Sequence, residues 1–333
     1  METIYVNYPE SYLEFRNQEF QVFHQHELLF KVAVHQVKSI VLFGYCKRFD
    51  KAVHFAVSHR IPVLALDAKA TYLARIETEE RCPAKYLPQQ RKSARNLEFI
   101  KTTAESIIRA KLHNACILIQ QFFGCCQSKA IQTALNQMAL LMDDLPLADS
   151  VETLRNHQQT ATTLYFQALG SSFAEAFNFE NLPPHSPTSP INSLLSLGYI
   201  LLSQNIYALL QAIGLHSHFG NLHVHRDHHP ALVADFMDEF SALIVDYLVV
   251  KLIIFQIFTP DDFTQPDERG SVYLCPDAIK KFLTYWEKIL QSEVMHIYAG
   301  TLTYQQCLEW QVREYVAYLL GEREFYRPFL SKK

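Results

Sequence analysis

The stretch RKSARNLEFIKTTAESIIRAKLHN, residues 91–114, marks a change in the hydrophobic pattern of the chain. Before it, apolar and polar residues alternate with a period of about two, as in YLEFR and FQVFH on either side of an NQ turn. From residue 92 onward the apolar residues recur with the helical period of about 3.6. This change predicts an α+β protein, in which a β-rich N-terminal domain precedes a larger all-α-helical domain.

The same change of period sets the predicted domain boundaries. Residues 1–85 are expected to form the β-rich domain, because SIVLFG and IPVLAL are β-branched runs with one helix, DKAVHFAVSHR, between them. Residues 86–94 are expected to form a linker, since prolines and polar residues are frequent there, and residues 95–333 the helical domain. Its helices are predicted near residues 95–123, 129–143, 150–170, 191–213, 231–257, 276–293 and 303–320.

The composition is that of an ordinary globular protein. With 333 residues, 49% of them hydrophobic, the chain can bury a sizeable core. Its formal net charge of −4 excludes a globally basic protein, so any surface for nucleic acid would have to be a local patch.

Cysteine usage and the first residues both predict a cytoplasmic protein. The seven cysteines are odd in number and include no C-x-x-C pair, which is typical of reduced thiols. The start METIYVNYPESYLEF has neither the basic nor the apolar region of a signal peptide. The apolar run ALIVDYLVVKLIIFQIF is interrupted by Asp246 and Lys251, so we expect no membrane span.

A candidate metal site lies in HSHFGNLHVHRDHHPALVADFMDEF, residues 216–240, where six histidines precede a predicted helix. Asp235, Asp238 and Glu239 are three and four residues apart, a spacing that places them on one helix face. Together with His223 they are a donor set suited to Mg²⁺ or Mn²⁺, which can neutralise the charge that develops on a phosphate. Zinc is disfavoured, because neither an H-E-x-x-H helix nor a cysteine partner is present.

An alternative interpretation of these acidic residues needs no metal. The helix macrodipole favours carboxylates near a helix start, and Pro230 suits the first turn of the predicted helix. Spacing alone therefore leaves a solvated acidic face as an alternative to a metal site, with His225, His228 and His229 as surface loop residues.

A candidate DNA surface lies in residues 91–114, which contain six Lys or Arg and two Glu. An excess of positive charge along one long helix can follow a phosphate backbone. The alternative is an exposed helix with ordinary salt bridges. The candidate DNA-binding residues are Lys92, Arg95, Lys101, Arg109 and Lys111.

Blocks of sequence along nearly the whole chain resemble the CRISPR-associated spacer integrase and endonuclease family, that of the first Cas protein. In the N-terminal part these blocks are SIVLFG and IPVLALDAKATYLARIE. In the helical part they are RAKLHN, LRNHQQTATTLYFQALG, SPINSLLSLGYILL, AIGLHSHFGNLHVH, ALVADFMDEF and QVREYVAYLLGEREFYRPF. Each block alone is weak, but their order and spacing are specific, and they identify the chain as a divergent member.

The resemblance implies a metal-dependent DNA integrase that inserts spacers into the repeat array by transesterification. In that family a Glu, a His and an acid three residues after an Asp surround a divalent ion, Mg²⁺ or Mn²⁺. Carried over by motif, the His is His223, the Asp is Asp235 and the acid three residues later is Asp238. The resemblance also implies double-stranded DNA as substrate, a homodimer formed by the β domain, and the small ferredoxin-like Cas protein of the adaptation complex as partner.

The remaining metal ligand departs from the family pattern. Where the family has Glu this chain has Gln158, a position fixed by five neighbours that fall into register, namely Leu154, Arg155, Ala161, Tyr165 and Phe166. Glu152 is no substitute, because six residues along a helix is about 240° around its axis. A carboxamide brings no charge, and one unit charge near an ion is worth on the order of 4 kcal/mol at an effective dielectric of 20.

Several other family positions have changed together, which favours natural divergence over one engineered substitution. Gln159 stands at a family Gly, and Ser241 at a family Arg. The proline-rich loop has His185, Ser186 and Ser189 where the family has charged residues.

Three interpretations of function therefore remain. The chain is an integrase that tolerates Gln158, an architectural DNA-binding subunit with impaired or lost catalysis, or an unrelated metal-dependent hydrolase.

Overall fold

The described N-terminal residues form two small β-sheets and an α-helix. A computed structural model describes residues 2–8, 10–44, 50–76, 85–124, 128–170, 187–224 and 230–332 of the chain. The strands are β1 (Glu2–Val6), β2 (Ser11–Arg16), β3 (Glu19–His24), β4 (Glu27–Ala33), β5 (Val37–Phe43), β6 (Val63–Leu66) and β7 (Tyr72–Ile76), and helix α1 is Asp50–Ser58.

Two tight hairpins join β2, β3 and β4 into an antiparallel sheet. Asn17 and Gln18 have φ of 52° and 63°, and Gln25 and His26 have 47° and 72°. Two consecutive residues with positive φ form the type I′ turn that matches the twist of paired strands. The second sheet has the order β1-β5-β6-β7, with parallel pairs β1–β5 and β5–β6 and an antiparallel β6–β7 pair.

The four-stranded sheet packs on both of its faces, which explains why β5 is almost continuously apolar. Ile40 and Leu42 belong to the core shared with α1 and the three-stranded sheet. Val41 and Phe43 point the opposite way and belong to the core of the helical region. Alternate side chains of a strand lie on opposite faces, so this one strand joins the two domains.

The remainder of the chain is mainly helical, as the period of 3.6 predicts, so the fold class is confirmed. Long α3 begins at Asn96, whose side chain accepts the backbone N–H groups of Glu98 and Phe99 at 3.1 and 3.2 Å. The helices are α2 (Leu87–Ser93), α3 (Leu97–Phe123), α4 (Lys129–Asp144), α5 (Val151–Gly170), α6 (Pro190–Ile213), α7 (Ala231–Ser241), α8 (Tyr247–Ile254), α9 (Pro276–Gln291) and α10 (Tyr304–Leu319).

Helices α3, α5, α6 and α7 pack against one another in the helical region. Helix α6 has the length and composition of a membrane span, but 78% of its most apolar window is buried inside the protein, as in a core helix. Gly198 of α6 permits close contact with α7 and its continuation, because a Cβ there would lie 2.5 Å from Val245 Cγ1. Residues Ala242–Asp246 form a π-helical segment that links α7 to α8.

Within its described residues the helical region contains a β-hairpin that the sequence analysis did not predict. Strands β8 (Glu293–His296) and β9 (Gly300–Thr303) pair between α9 and α10. Residues 87–93, within the predicted linker, form α2. Gln90 is buried there and its amide bonds to both backbone groups of His216, at 3.0 and 2.9 Å, which ties α2 to the loop after α6.

Three of the seven cysteines lie in the described ranges, and all three are free thiols, at Cys116, Cys275 and Cys307. Burial raises the pKa of Cys116 to about 11 and that of Cys307 to about 12. Both are therefore thiols, not thiolates, at neutral pH. Residues 46, 82, 125 and 126 lie outside the described ranges.

Lys38 links the β domain to the helical domain and makes stability depend on pH. Its ammonium contacts Asn205 Oδ1 of α6. Burial lowers its pKa from 10.5 to about 7, against the opposing charges of Glu287 and Glu309. Between about pH 7 and 10 the folded lysine is neutral while the unfolded lysine is charged, so stability should rise with pH.

Replacing Lys38 with Met is expected to remove this rise. Methionine carries no charge to desolvate, so the variant should be more stable than the natural protein at pH 6.5 and similar to it near pH 10. As pH rises, the difference in free energy of unfolding between the variant and the natural protein should shrink by at most about 1.4 kcal/mol per pH unit. Urea unfolding at both pH values measures it, with Lys31→Met on β4 as the control. A difference that is constant with pH would contradict this account.

Candidate functional site

Four polar side chains from distant parts of the chain meet at one cleft. Lys111 comes from α3, Gln158 from α5, His223 from the loop after α6, and Asp238 from α7. Gln158 Nε2 donates to Asp238 Oδ2 at 2.5 Å, and Lys111 Nζ donates to Asp238 Oδ1 at 2.8 Å. His223 Nε2 lies 3.9 Å from Asp238 Oδ2. Asp238 is thus the centre of the cluster.

Asp235 lies beneath this cluster and holds the loop that carries His223. Its side chain is only 2% exposed. It accepts three backbone N–H groups, from Asn221 at 2.5 Å, Leu222 at 3.3 Å and His223 at 2.9 Å. It also accepts from His223 Nδ1 at 2.9 Å. A carboxylate that holds Nδ1 fixes the tautomer and ring orientation, so that Nε2 faces the cleft.

A close backbone contact keeps this loop against the start of α7. A Cβ on Gly220 would lie 2.7 Å from Ala231 Cβ and 2.9 Å from the carbonyl oxygen of His223. Only glycine fits there without displacing the loop. Arg155 of α5 supports the loop from the other side, because its Nε donates to the Leu222 carbonyl at 2.8 Å.

His223 is only partly exposed, yet the neighbouring acids favour its protonated form. Burial lowers its pKa, but the hydrogen bond to Asp235 and the charges of Asp238 and Asp235 together outweigh burial and the charge of Lys111. The net effect is a raised pKa. The His223 imidazole therefore lies beside the Asp238 carboxylate, in a cleft open to solvent.

Glu239 does not join the cluster, although its spacing predicts the same helix face. It is 1% exposed and accepts from Tyr326 Oη at 2.5 Å and from the Phe329 N–H at 2.7 Å. Burial raises its pKa to about 8, against these hydrogen bonds. Adjacent residues on a helix point about 100° apart, so Glu239 points away from Asp238. Its contacts with Tyr326 and Phe329 instead anchor the C-terminal segment in the core.

The five basic candidates do not form one continuous surface. Lys92 and Arg95 are exposed near the start of α3, and Lys101 is half-buried. Arg109 pairs with Glu105 on its own helix at 2.9 Å, whereas Lys111 points into the cleft. Two residues along a helix are about 200° apart, so Arg109 and Lys111 face nearly opposite sides.

The cleft over the cluster has a volume of about 820 Å³ and a lining that the sequence analysis missed. On α5 the wall carries Glu152 and Arg155, which pair with each other at 3.1 Å. Besides Gln158 it carries four neutral amide and hydroxyl side chains, of the kind that contact nucleic-acid backbones. Their spacing of three and four residues was the available signal, since it puts them on one helix face. These wall residues are Asn156, Gln159, Thr162 and Thr163.

A second cavity of about 290 Å³ adjoins the cluster and shares Lys111, His223 and Asp238 with the cleft. Its inner end contains Asp246, which accepts from Tyr165 Oη at 2.7 Å and Tyr199 Oη at 2.6 Å. Burial raises the pKa of Asp246 to about 6, against both phenols and the charge of Lys111. Lys111 therefore pairs with Asp238, and its charge also acts on the buried carboxylate of Asp246.

The donor set fits a divalent ion poorly. Across the described ranges of the chain, no group of three or more His, Cys, Asp or Glu side chains is placed to hold a metal ion. Mg²⁺ and Mn²⁺ favour several carboxylate or carbonyl oxygens. Here His223 and Asp238 remain, while Gln158 presents its amide N–H to Asp238. Residues 225, 228 and 229, with 185 and 186 of the proline-rich loop, lie outside the described residues.

Comparison with known proteins matches this chain to one protein family. A model described as CRISPR associated protein Cas1 matches residues 4–288. The chain is 29% identical to "CRISPR-associated endonuclease Cas1 3" of Thermus thermophilus over 334 residues, which are 98% of this chain and 96% of that protein.

Solved structures share the fold at lower identity. A chain of a "Cas6-RT-Cas1–Cas2 complex" superposes with a TM-score of 0.88 at 22% identity, covering all of this chain but only 36% of that one. A "casposase bound to integration product" gives a TM-score of 0.81 at 19% identity over 97% and 92% of the two chains. With the family model spanning most of its length, the chain belongs to the CRISPR associated protein Cas1 family.

Proposed function

We propose that this chain is a DNA-binding Cas1 of a CRISPR adaptation complex in which strand-transfer catalysis is strongly weakened. The observation that supports this most directly is the contact between the Gln158 amide and Asp238. An ordinary member of the family would be expected, from the motif, to present a carboxylate there. Membership of the Cas1 family favours the integrase and the architectural-subunit interpretations over an unrelated hydrolase.

The physical reason is the charge of the site. Transesterification of DNA is promoted by positioning and by neutralising charge on the phosphate, which a divalent ion supplies when it is bound. With Gln158 the site offers one carboxylate, Asp238, and one imidazole, His223. The lost charge is worth on the order of 4 kcal/mol.

A working integrase that tolerates Gln158 remains the second candidate. The placement of the other groups favours it, because Asp235 still orients His223, whose Nε2 lies 3.9 Å from Asp238 Oδ2. The two candidates differ in activity, not in fold, so an activity measurement separates them.

Double-stranded DNA is the proposed ligand of both candidates. The amides and hydroxyls on one wall of the cleft of about 820 Å³ suit contacts to phosphate and sugar. Exposed Lys92 and Arg95 add local positive charge to an acidic chain. The structural relatives described as a casposase with integration product and as a Cas1–Cas2 complex support DNA and a small Cas protein as partners. We also propose that this partner is the small ferredoxin-like Cas protein of the adaptation complex, and that the chain is cytoplasmic.

A homodimer through the β domain is also proposed. Strand β4 lies at the edge of its sheet, in the order β2-β3-β4. It exposes three consecutive large apolar side chains, Leu28, Leu29 and Phe30, at 49, 44 and 40%. An exposed apolar edge strand offers unpaired backbone groups and apolar surface to another chain.

The natural protein is expected to bind duplex DNA equally well in EDTA and in Mn²⁺, and steeply less at higher salt. Affinity should fall with salt in proportion to the phosphates contacted, with a logarithmic slope of about −0.9 per phosphate. Replacing Lys92, Arg95 and Lys101 together with Glu should weaken binding and flatten that slope.

Fluorescence anisotropy with labelled duplex DNA measures both quantities. The matched control replaces Lys31, Lys51 and Lys129, which are exposed on other elements, with Glu. Equal losses in the two triple variants would argue against a local DNA surface. Absence of salt-dependent duplex binding by the natural protein would overturn the proposed function.

A further inference from the structure

We infer that Lys111 is the resident cation of this site, and that its ammonium, together with the Gln158 amide, holds Asp238 in the position where the family would use a divalent ion. This inference rests on the proposed function and concerns how the same site is kept assembled. On this inference Lys111 competes with divalent metal ions for the Asp238 carboxylate.

Both oxygens of Asp238 already have partners. Lys111 Nζ donates to Oδ1 at 2.8 Å and Gln158 Nε2 donates to Oδ2 at 2.5 Å. The side chains of Lys111 and Asp238 are 23 and 13% exposed, so water screens this ion pair only partly. A carboxylate with an ion pair and a charge-assisted hydrogen bond is satisfied without a metal.

The orientation of the Gln158 amide follows from the same chemistry. An ionised carboxylate can only accept hydrogen bonds, so the amide must turn its N–H toward Asp238. Glutamate at this position would set two negative oxygens against each other, and an added cation would be needed to hold them together. Gln158 and Lys111 are therefore complementary features of one metal-free arrangement.

Lys111 differs in this respect from its neighbour on α3. Arg109 pairs within its own helix, with Glu105 four residues earlier. Lys111 instead reaches across to α7, 127 residues further along the chain, and lines both the cleft and the adjoining cavity. Its charge pairs with Asp238 and also acts on the carboxylate of Asp246.

A divalent ion can therefore bind Asp238 only by displacing Lys111. Replacing Lys111 with Met keeps most of the side-chain volume but removes the charge, so Asp238 and His223 become available to an added ion. The natural protein should show a change of less than about 1 °C in melting temperature when Mn²⁺ replaces EDTA. The Lys111→Met variant should melt lower in EDTA and gain about 2 °C on addition of Mn²⁺ at tenfold its dissociation constant.

Thermal melting and calorimetric titration with Mn²⁺, both without DNA, test this inference. Lys111→Arg keeps the cation and should remain insensitive to Mn²⁺, and Lys111→Gln is the second uncharged variant if Lys111→Met does not fold. Arg109→Met is the matched control on α3 and should also show no response.

Two results would overturn the inference: Mn²⁺ binding by the natural protein as strong as that of Lys111→Met, or no Mn²⁺ response in either uncharged variant. Since no DNA is present, such a result is distinct from a failure of the proposed function, which is tested by DNA binding and strand transfer.

Discussion

Replacing Asp235 with alanine is expected to lower the free energy of unfolding by about 3–6 kcal/mol. Three backbone N–H groups, those of Asn221, Leu222 and His223, donate to this buried carboxylate. Each buried donor that loses its acceptor costs about 1–3 kcal/mol, although part of the loop can relax toward water. The His223 ring would also lose its orienting partner.

Asp238→Ala is the matched control, since it lies on the same helix and removes the same group. Among the described residues, the Asp238 carboxylate hydrogen-bonds to the side chains of Lys111 and Gln158, and the side chains of Lys111 and His223 reach solvent. Its removal should therefore cost less than about 2 kcal/mol. Urea unfolding of both variants measures the difference. Equal losses would show that Asp235 does not support the loop as described.

Gln158→Glu is expected to raise Mn²⁺-dependent strand transfer by about a thousandfold. A restored anionic ligand contributes on the order of 4 kcal/mol at an effective dielectric of 20, and each 1.4 kcal/mol of barrier is tenfold in rate. The side chain at 158 already touches Asp238, so no rearrangement of α5 is needed. Metal binding should recover more fully than rate, because Gln159 and Ser241 also differ from the family.

Disintegration of a branched DNA under single-turnover conditions measures the rate without depending on target choice. Asp238→Ala in the Gln158→Glu background is the control and should return the rate to that of the natural protein. A Gln158→Glu variant that binds Mn²⁺ yet gains no rate would place the defect elsewhere, in the DNA path.

Helix positions were largely predictable because they depend on local pattern. The spans predicted near 129–143 and 150–170 differ by one residue at an end from α4 (Lys129–Asp144) and α5 (Val151–Gly170). The segment predicted at 231–257 holds a π-helical insertion at Ala242–Asp246. A one-residue change of helical register leaves no clear mark on a hydrophobic period, so it was missed.

The site was predictable only in part, and through the family resemblance more than through spacing. The motif placed Gln158, His223 and Asp238 in one site, and the structure brings these side chains together. Spacing alone put Glu239 on the same face, but its contacts with Tyr326 and Phe329 bury it elsewhere. The Lys111–Asp238 pair joins α3 to α7, and no local pattern encodes a contact over 127 residues.

The most direct test of this account compares the natural protein with its Asp238→Ala variant in one assay, Mn²⁺-dependent disintegration of a branched DNA. If the site formed by Gln158, Lys111, His223 and Asp238 does not support strand transfer, the two proteins should have the same low rate, far below that of Gln158→Glu. If the natural protein is robustly active and Asp238→Ala abolishes that activity, Gln158 is a tolerated ligand and the proposal of weakened catalysis is wrong.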